Sequence, residues 1–288
     1  MVIYHSLSRN AGIAQSVEQL IRNQQVVCSS HITSSKSLEV FSFEAFVMRF
    51  VQWGHAMEYD FYVRKKQDLI DAVETFGIVP YFSTSIPGFS LAEHCHPAAL
   101  WSDDGEDSWA WKGPVIQATG CAYGKFFEKK AAYVSREVFL DLANYRRDGY
   151  DFDARYDDGL AKYQDKQLFD LIEQNAPVLS KALRQTGGYA YSGRWQKTDG
   201  AKGFDTSVTR LQEQCYVIIS DFVYTVDRHG NRRGWGVAQY DTPERFMGAD
   251  FTDRVYARSP AESYERLMEH LTKLFPRVSE QALKKFLK

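Results

Sequence analysis

The chain has 288 residues, 44% of them hydrophobic, which is enough to bury the core of one or two soluble domains. Its 35 basic and 37 acidic side chains give a net charge of −2, so no overall positive field recruits nucleic acid and any DNA contact depends on local basic patches. There is no apolar run of about 18 residues and no signal-peptide core. We therefore expect a cytoplasmic protein with no membrane partner.

The motifs of metal and cofactor sites are absent from the sequence. The cysteines Cys28, Cys95, Cys121 and Cys215 are widely scattered, with no CxxC pair, so we expect reduced thiols. The run His94-Cys95-His96 has soft metal ligands, with Cys121 as a fourth, but its spacing fits no zinc pattern closely. GxGxxG and P-loop motifs are also missing, and we predict neither a metal site nor a cofactor.

The first 47 residues differ from the rest in composition. They are rich in Ser, Asn and Gln, and their apolar residues keep neither helical nor strand spacing. The run Ala11–Leu20, with its surroundings at residues 9–38, resembles a transfer-RNA gene translated as protein. That resemblance implies a spurious extension and a true start near Met48 or Met57. The alternative is a genuine disordered tail.

Residues 58–150 have the pattern of a mixed α/β domain. Four apolar residues stripe one helical face: Leu69, Ile70, Val73 and Phe76. Ile78–Phe82 follows as a short strand, and Cys121–Phe127 and Ala131–Val134 predict a hairpin. A loop with several acidic residues leads into Trp109 and Trp111, whose indoles point the same way if the backbone is extended. They fit either a core role or stacking on extruded bases.

Residues 160–250 predict a winged helix-turn-helix domain, which makes the whole chain an α+β protein. The first helix carries Leu168, Phe169, Leu171 and Ile172 and ends near Asn175. A second runs through Leu179 to the Gly187-Gly188 stop, and a third begins near Asp205 or Thr206. Strand patterns follow at Cys215–Val226 and Trp235–Tyr240. Three helices and a two-stranded wing are the winged-helix order, in which the third helix can enter a major groove.

Basic side chains flank the third predicted helix on both sides. The turn between the two strands contains Arg228, Arg232 and Arg233, which predict phosphate contacts by the wing. The long insertion before the third helix adds Arg194, Lys197 and Lys202, and the helix itself adds Arg210. Residues 259–288 are predicted to be helical, because Ser259–Glu262 is a capping box with proline at the first helical position.

Six blocks of sequence carry a family resemblance: Ile86–Ser90, Trp109–Lys112, Cys121–Phe127, Asn144–Tyr150, Lys202–Thr206 and Gly234–Ala238. Together they resemble the bacterial AlkZ-related proteins, relatives of the AlkZ winged-helix DNA glycosylases. The resemblance implies a DNA-associated protein that acts on alkylated bases. AlkZ-type enzymes hydrolyse the bond between deoxyribose and an alkylated purine, with a Gln-hydrophobic-Gln motif at the lesion.

The nearest equivalent to that motif here is Gln212-Glu213-Gln214, whose central residue is charged. A cationic alkylpurine leaves as a neutral base, so cleavage needs polar groups that orient water and stabilise charge on the sugar. Two amides at i and i+2 converge only near a helix–strand junction, since within a helix they point apart. Glu213 is then a candidate general base. The alternative is a solvated helix face, in a winged-helix module that binds DNA or protein without chemistry.

Overall fold

The computed structural model describes residues 59–102, 106–188, 199–229 and 232–288. The predicted extension at residues 1–47 lies outside them. These residues belong to one compact unit, Ala56–Lys288, with two small antiparallel sheets among its helices. The predicted α+β class is confirmed.

The first sheet consists of β1 (Ile78–Pro80), β2 (Ala122–Phe127) and β3 (Lys130–Val134), in the order β1-β3-β2. The hairpin predicted from the sequence is confirmed as β2–β3. Its turn places Glu128 and Lys129 at φ values of 49° and 59°, the left-handed backbone that a two-residue hairpin turn requires.

Four helices accompany this sheet: α1 (Lys66–Phe76), α2 (Pro97–Leu100), α3 (Lys112–Thr119) and α4 (Arg136–Arg147). The apolar stripe predicted for α1 is largely buried, and Gly77 ends the helix at a φ of 72°. The segment before α3 is not the extended backbone in which the two indoles would point the same way. Trp109 and Trp111 lie in a turn that leads into α3, and each side chain is only 7% exposed. A turn allows α3 to begin directly at Lys112.

The second sheet consists of β4 (Val178–Leu179), β5 (Ile218–Val226) and β6 (Arg232–Asp241), in the order β4-β6-β5. Its helices are α5 (Phe152–Asp157), α6 (Tyr163–Asn175), α7 (Ser180–Thr186) and α8 (Asp199–Glu213). Leu179 belongs to β4 and not to a helix, because its backbone pairs with Gln239. The third predicted helix, α8, extends back to Asp199 and does not begin near Asp205 or Thr206.

Two short helices that were not predicted follow β6: α9 (Pro243–Met247) and α10 (Ala249–Arg254). Residues 259–288 are helical as predicted, with α11 (Pro260–Leu274) and α12 (Glu280–Leu287). The predicted capping box is present: Ser259 Oγ accepts from Glu262 N at 3.2 Å, and Glu262 Oε2 accepts from Ser259 N at 2.8 Å. Helix α11 packs along α4.

Two arginines of α4, the buried Arg147 and the half-buried Arg146, connect the two regions. Arg147 is 1% exposed, and its guanidinium donates to the backbone oxygen of Cys215 at 2.8 Å and pairs with Glu244 at 2.5 Å. Arg146 donates to the backbone oxygens of Glu213 at 3.0 Å and Leu287 at 2.8 Å. These bonds satisfy carbonyls at the ends of α8 and α12. Within the described ranges, no helix is both long enough and apolar enough to cross a membrane.

Candidate nucleic-acid interface

Helix α8 is enclosed over its C-terminal half. It packs against α6 and β2. Its buried side chains include both apolar and polar ones: Phe204, Val208 and Leu211, and Ser207, Thr209 and Gln212. Asp205 and Thr206, in the N-terminal half, are exposed. The part of α8 open to solvent therefore lies before Ser207, at the end away from the predicted catalytic residues.

Gln212 has a structural partner. Its side chain is 1% exposed, and its amide oxygen accepts the backbone N–H of Lys125 in β2 at 2.8 Å. An unpaired N–H at this buried position would cost free energy, so the contact stabilises the packing of α8 on β2. We therefore expect Gln212→Ala to lower the free energy of unfolding. Gln212 does not lie on a solvated helix face, which was the alternative interpretation of the sequence.

Glu213 and Gln214 are both half-buried at the end of α8. Burial raises the pKa of the Glu213 carboxyl, and the nearby cations Lys129, Arg146, Lys125 and Arg210 oppose that shift. The Gln214 side-chain oxygen is buried and has no hydrogen-bond partner among the described residues. We call residues 212–214 the junction. Within it, Gln212 is engaged with β2, while the Gln214 oxygen is left without a hydrogen-bond partner among the described residues.

Lys125, whose backbone N–H bonds to Gln212 of the junction, has a lowered side-chain pKa. Burial lowers the pKa of the Lys125 ammonium, and Asp205 and Glu213 act in the opposite direction. Burial therefore moves the pKa values of Lys125 and Glu213 toward each other, while the attraction between the two charges opposes both shifts. Such pairs occur at functional sites and in structural ion pairs alike.

Arg210 is held in an ion pair. Its Nε and Nη2 lie 2.5 and 2.6 Å from the two carboxylate oxygens of Asp165, whose side chain is 2% exposed. This bidentate geometry uses the donors that a phosphate contact requires. Arg210 was predicted to contact DNA; the structure gives it a partner in α6.

The β5–β6 hairpin, which we call the wing, contains three of the six remaining predicted contacts: Arg228, Arg232 and Arg233. Strand β4 pairs with Gln239 and Tyr240 at the base of the wing, and the outer part is a two-stranded ribbon. Arg228 is exposed, with its Nε 3.0 Å from His229 Nε2. Arg232 is exposed too, and its guanidinium lies over the Tyr224 ring at 4.7 Å. These two cations are available to an anionic partner.

The other predicted DNA contacts fall outside the described part of the chain. Arg194 and Lys197 lie in the undescribed insertion. Lys202 belongs to α8 and Arg233 to β6, but their side chains are outside the described part of the structure. Their participation stays a prediction.

The motif His94-Cys95-His96 is engaged with the backbone. The two ring nitrogens of His94 lie 3.1 Å from the oxygen of Phe61 and 2.8 Å from that of Gly88. His96 Nδ1 accepts the N–H of Ala98 at 3.2 Å. The described ranges contain no group of three or more His, Cys, Asp or Glu side chains that could hold a metal ion.

Sequence reasoning missed a cluster of tryptophans next to the wing. Trp101 and Trp109 stack with ring centroids 5.4 Å apart, and Trp235 meets their rings edge-on at 6.3 and 5.8 Å. Trp101 is 38% and Trp235 47% exposed, whereas Trp109 is buried. We call these three residues the tryptophan cluster. A signal for Trp235 exists in the sequence, because glycine on both sides of an aromatic residue in a strand is typical of a β-bulge.

The chain matches the family described as AlkZ related over residues 63–288. The matched part contains the junction, the wing and the tryptophan cluster. No curated protein and no solved structure matches the chain significantly. Because the family match covers far more than half of the 288 residues, the chain belongs to the AlkZ-related family.

Proposed function

We propose that the protein binds duplex DNA through a winged-helix domain whose principal contact element is the wing. The observation that carries this proposal is the topology of the second sheet. The elements run α6–β4–α7–α8–β5–β6, and β6 lies between β4 and β5. A short strand between the first two helices, paired with the returning strand of the hairpin, is the arrangement of a winged helix. Fold alone does not give function, so the exposed arginines of the wing are the second support.

The wing is favoured over α8 as the contact element because of burial. The C-terminal half of α8 packs on β2 and α6, which prevents that half from entering a major groove. The wing instead presents Arg228 and Arg232 to solvent. With a net charge of −2 on the whole chain, such a local patch is the form that a DNA-binding surface must take.

Membership of the AlkZ-related family supports a glycosylase-like activity on alkylated purines at the junction. In this scheme Glu213 accepts a proton from water, the oxygen of that water attacks C1′ of the deoxyribose, and the C1′–N bond breaks. The cationic alkylpurine takes the bonding electron pair and departs as a neutral base, leaving an abasic site. In this scheme the Gln214 amide orients the water or stabilises positive charge on the sugar.

A second candidate is a DNA-binding module without chemistry. It is favoured by the hydrogen bond between Gln212 and the Lys125 backbone, since one of the two amides of the predicted motif is thereby committed to packing. The two functions share the wing and differ only in what happens at the junction.

The deciding experiment incubates the protein with duplexes carrying N-alkylated purines and measures abasic sites, beside a binding titration on undamaged duplex. Glycosylase activity predicts excision by the wild type and a loss of about a hundred-fold in rate for Glu213→Gln and for Gln214→Ala, with duplex affinity unchanged. Glu265→Gln, at an exposed position of α11, is the matched control and should excise at the wild-type rate. Binding without excision across a panel of lesions would establish the non-enzymatic module, and no binding to any duplex would overturn both.

A further inference from the structure

A bulge in the wing directs one tryptophan toward two others. In the register of β5 and β6, Val223 pairs with Val237 and Thr225 with Arg233, so the single residue Tyr224 lies opposite residues 234–236. Bulges re-aim side chains and are over-represented beside active sites. Here the bulged residue is Trp235, which joins the tryptophan cluster.

Two glycines make this bulge possible. Gly234 has a φ of 67°, which lies in the left-handed region. A Cβ at Gly236 would lie 2.8 Å from Tyr224 Cζ, closer than a carbon contact allows. The local sequence Gly-Trp-Gly therefore favours the backbone that places an indole here.

The cluster is held rigidly from within the protein. Lys112 is 2% exposed, and its Nζ lies 3.1 Å from the Trp109 ring centroid and 4.0 Å from that of Phe222 in β5. These cation–π contacts connect α3 to the wing. Asp107 accepts the N–H groups of Ser102 at 3.0 Å and Ala110 at 2.8 Å, which fixes the segments that carry Trp101 and Trp109.

The outer face of the cluster is exposed and adjoins positive charge. Trp101 and Trp235 keep 38% and 47% of their surface in solvent. Tyr224, opposite the bulge, carries the guanidinium of Arg232 over its ring. Flat apolar surface next to an exposed cation matches a nucleobase joined to its phosphate.

We propose that the tryptophan cluster is the binding site for one unpaired nucleobase of a DNA strand, which stacks on the exposed indole of Trp235 and meets Trp101 edge-on while the wing contacts the neighbouring phosphates. This rests on the proposed DNA binding and adds the kind of DNA that is preferred. A base that is bulged, mismatched or extruded costs less to unstack than a paired one, so such DNA is the substrate class of the site.

The test compares two probes, a duplex with a single-nucleotide 2-aminopurine bulge and the same duplex fully paired. We expect the wild type to prefer the bulged duplex by about ten-fold or more and to quench its 2-aminopurine fluorescence. Trp235→Ala and Trp235→Leu should each reduce the preference to about two-fold or less and abolish the quenching, with the affinity for paired duplex kept. Trp235→Leu retains an apolar contact with Trp101 and Trp109, so it separates loss of stacking from loss of packing.

Leu160→Ala is the matched control, because Leu160 is 53% exposed and lies outside both the wing and the cluster. It should behave as the wild type with both probes. Equal affinity of the wild type for the two duplexes, or an unchanged preference in both Trp235 variants, would overturn the base site while leaving duplex binding intact. Failure of the wild type to bind either duplex would overturn both proposals.

Discussion

The junction and the wing, the two regions that the sequence marked for function, differ in how their polar groups are used. At the junction, Gln212 is bonded to β2 and neighbouring Arg210 to Asp165. On the wing, Arg228 and Arg232 face solvent beside exposed aromatic surface. Residue types that suit catalysis or DNA contact are therefore poor indicators by themselves. What distinguishes the wing is that its charges remain available after folding.

The largest expected effect, and the strongest test of the difference between the two regions, is the loss of DNA affinity on replacing the wing arginines. Replacing Arg228, Arg232 and Arg233 together by Ala should weaken duplex binding by on the order of a hundred-fold near 0.1 M salt, uniformly across sequences. The slope of log affinity against log salt should flatten by about three units, because three phosphate contacts are lost. A salt titration by fluorescence anisotropy measures both quantities.

A variant with the same change of charge elsewhere serves as the control. Replacing Lys284, Lys285 and Lys288 by Ala removes three cations that line a cleft of about 620 Å³ between α4, α11 and α12. Its salt slope should stay within half a unit of the wild-type value. An equal loss in both triple variants would mean that net charge, and not the wing, drives binding.

Arg210 tests whether the polar groups beside the junction are structural. Arg210→Ala leaves the buried Asp165 carboxylate without its partner, so the free energy of unfolding should fall by about 2 kcal/mol and the melting temperature by about 4–8 °C. Asp165→Asn in the same chain should restore part of the loss. Duplex affinity of the folded variant should not change. A weaker DNA affinity at unchanged melting temperature would contradict this and show that Arg210 contacts DNA.

Gln212 should behave as a structural residue as well. Gln212→Ala removes the acceptor for the Lys125 N–H and should lower the free energy of unfolding by about 1–2 kcal/mol, seen as a shift in chemical denaturation. Gln214→Ala, two residues along the chain, removes an oxygen that has no partner among the described residues and should shift the midpoint far less. Equal destabilisation by the two variants would contradict the different environments of the two amides.

The smallest effect concerns pH. Because burial raises the folded-state pKa of Glu213, the folded protein binds more protons there than the unfolded chain does. The stability that this residue contributes is fully present below the unfolded pKa of about 4.3 and is lost as pH rises through the folded-state pKa. Glu213→Gln should therefore raise the melting temperature at pH 7 relative to wild type, and less so at pH 4. A difference that is the same at both pH values would show that the carboxyl does not titrate differently on folding.

Local patterns predicted the elements that apolar periodicity and end signals define. The stripe on α1, the β2–β3 hairpin and the Ser259–Glu262 capping box all lie where the sequence placed them. Strand β4 was missed because a strand of two residues is too short to show an alternating pattern. Its partners, Gln239 and Tyr240, also lie about 60 residues further along the chain. The early start of α8 was missed because the Gly- and Ser-containing insertion favours turns by composition.

The candidate sites show the same limit. The acceptor role of Gln212 depends on the backbone of Lys125, which no pattern near either residue reveals. Trp101, Trp109 and Trp235 come from three separate segments, and only the bulge brings Trp235 to the others. Residue types and turn signals indicate which side chains are available for function, while long-range packing decides which of them remain free.

The most direct test of the wing as the DNA-contact element is backbone hydrogen exchange with and without a short duplex. Amides of Ile218–Asp241 should exchange more slowly in the complex, with the greatest change toward the outer end of the ribbon, while those of Arg210–Gln214 should not change. Protection confined to α8 or to the C-terminal helices, with the wing unaffected, would contradict the account.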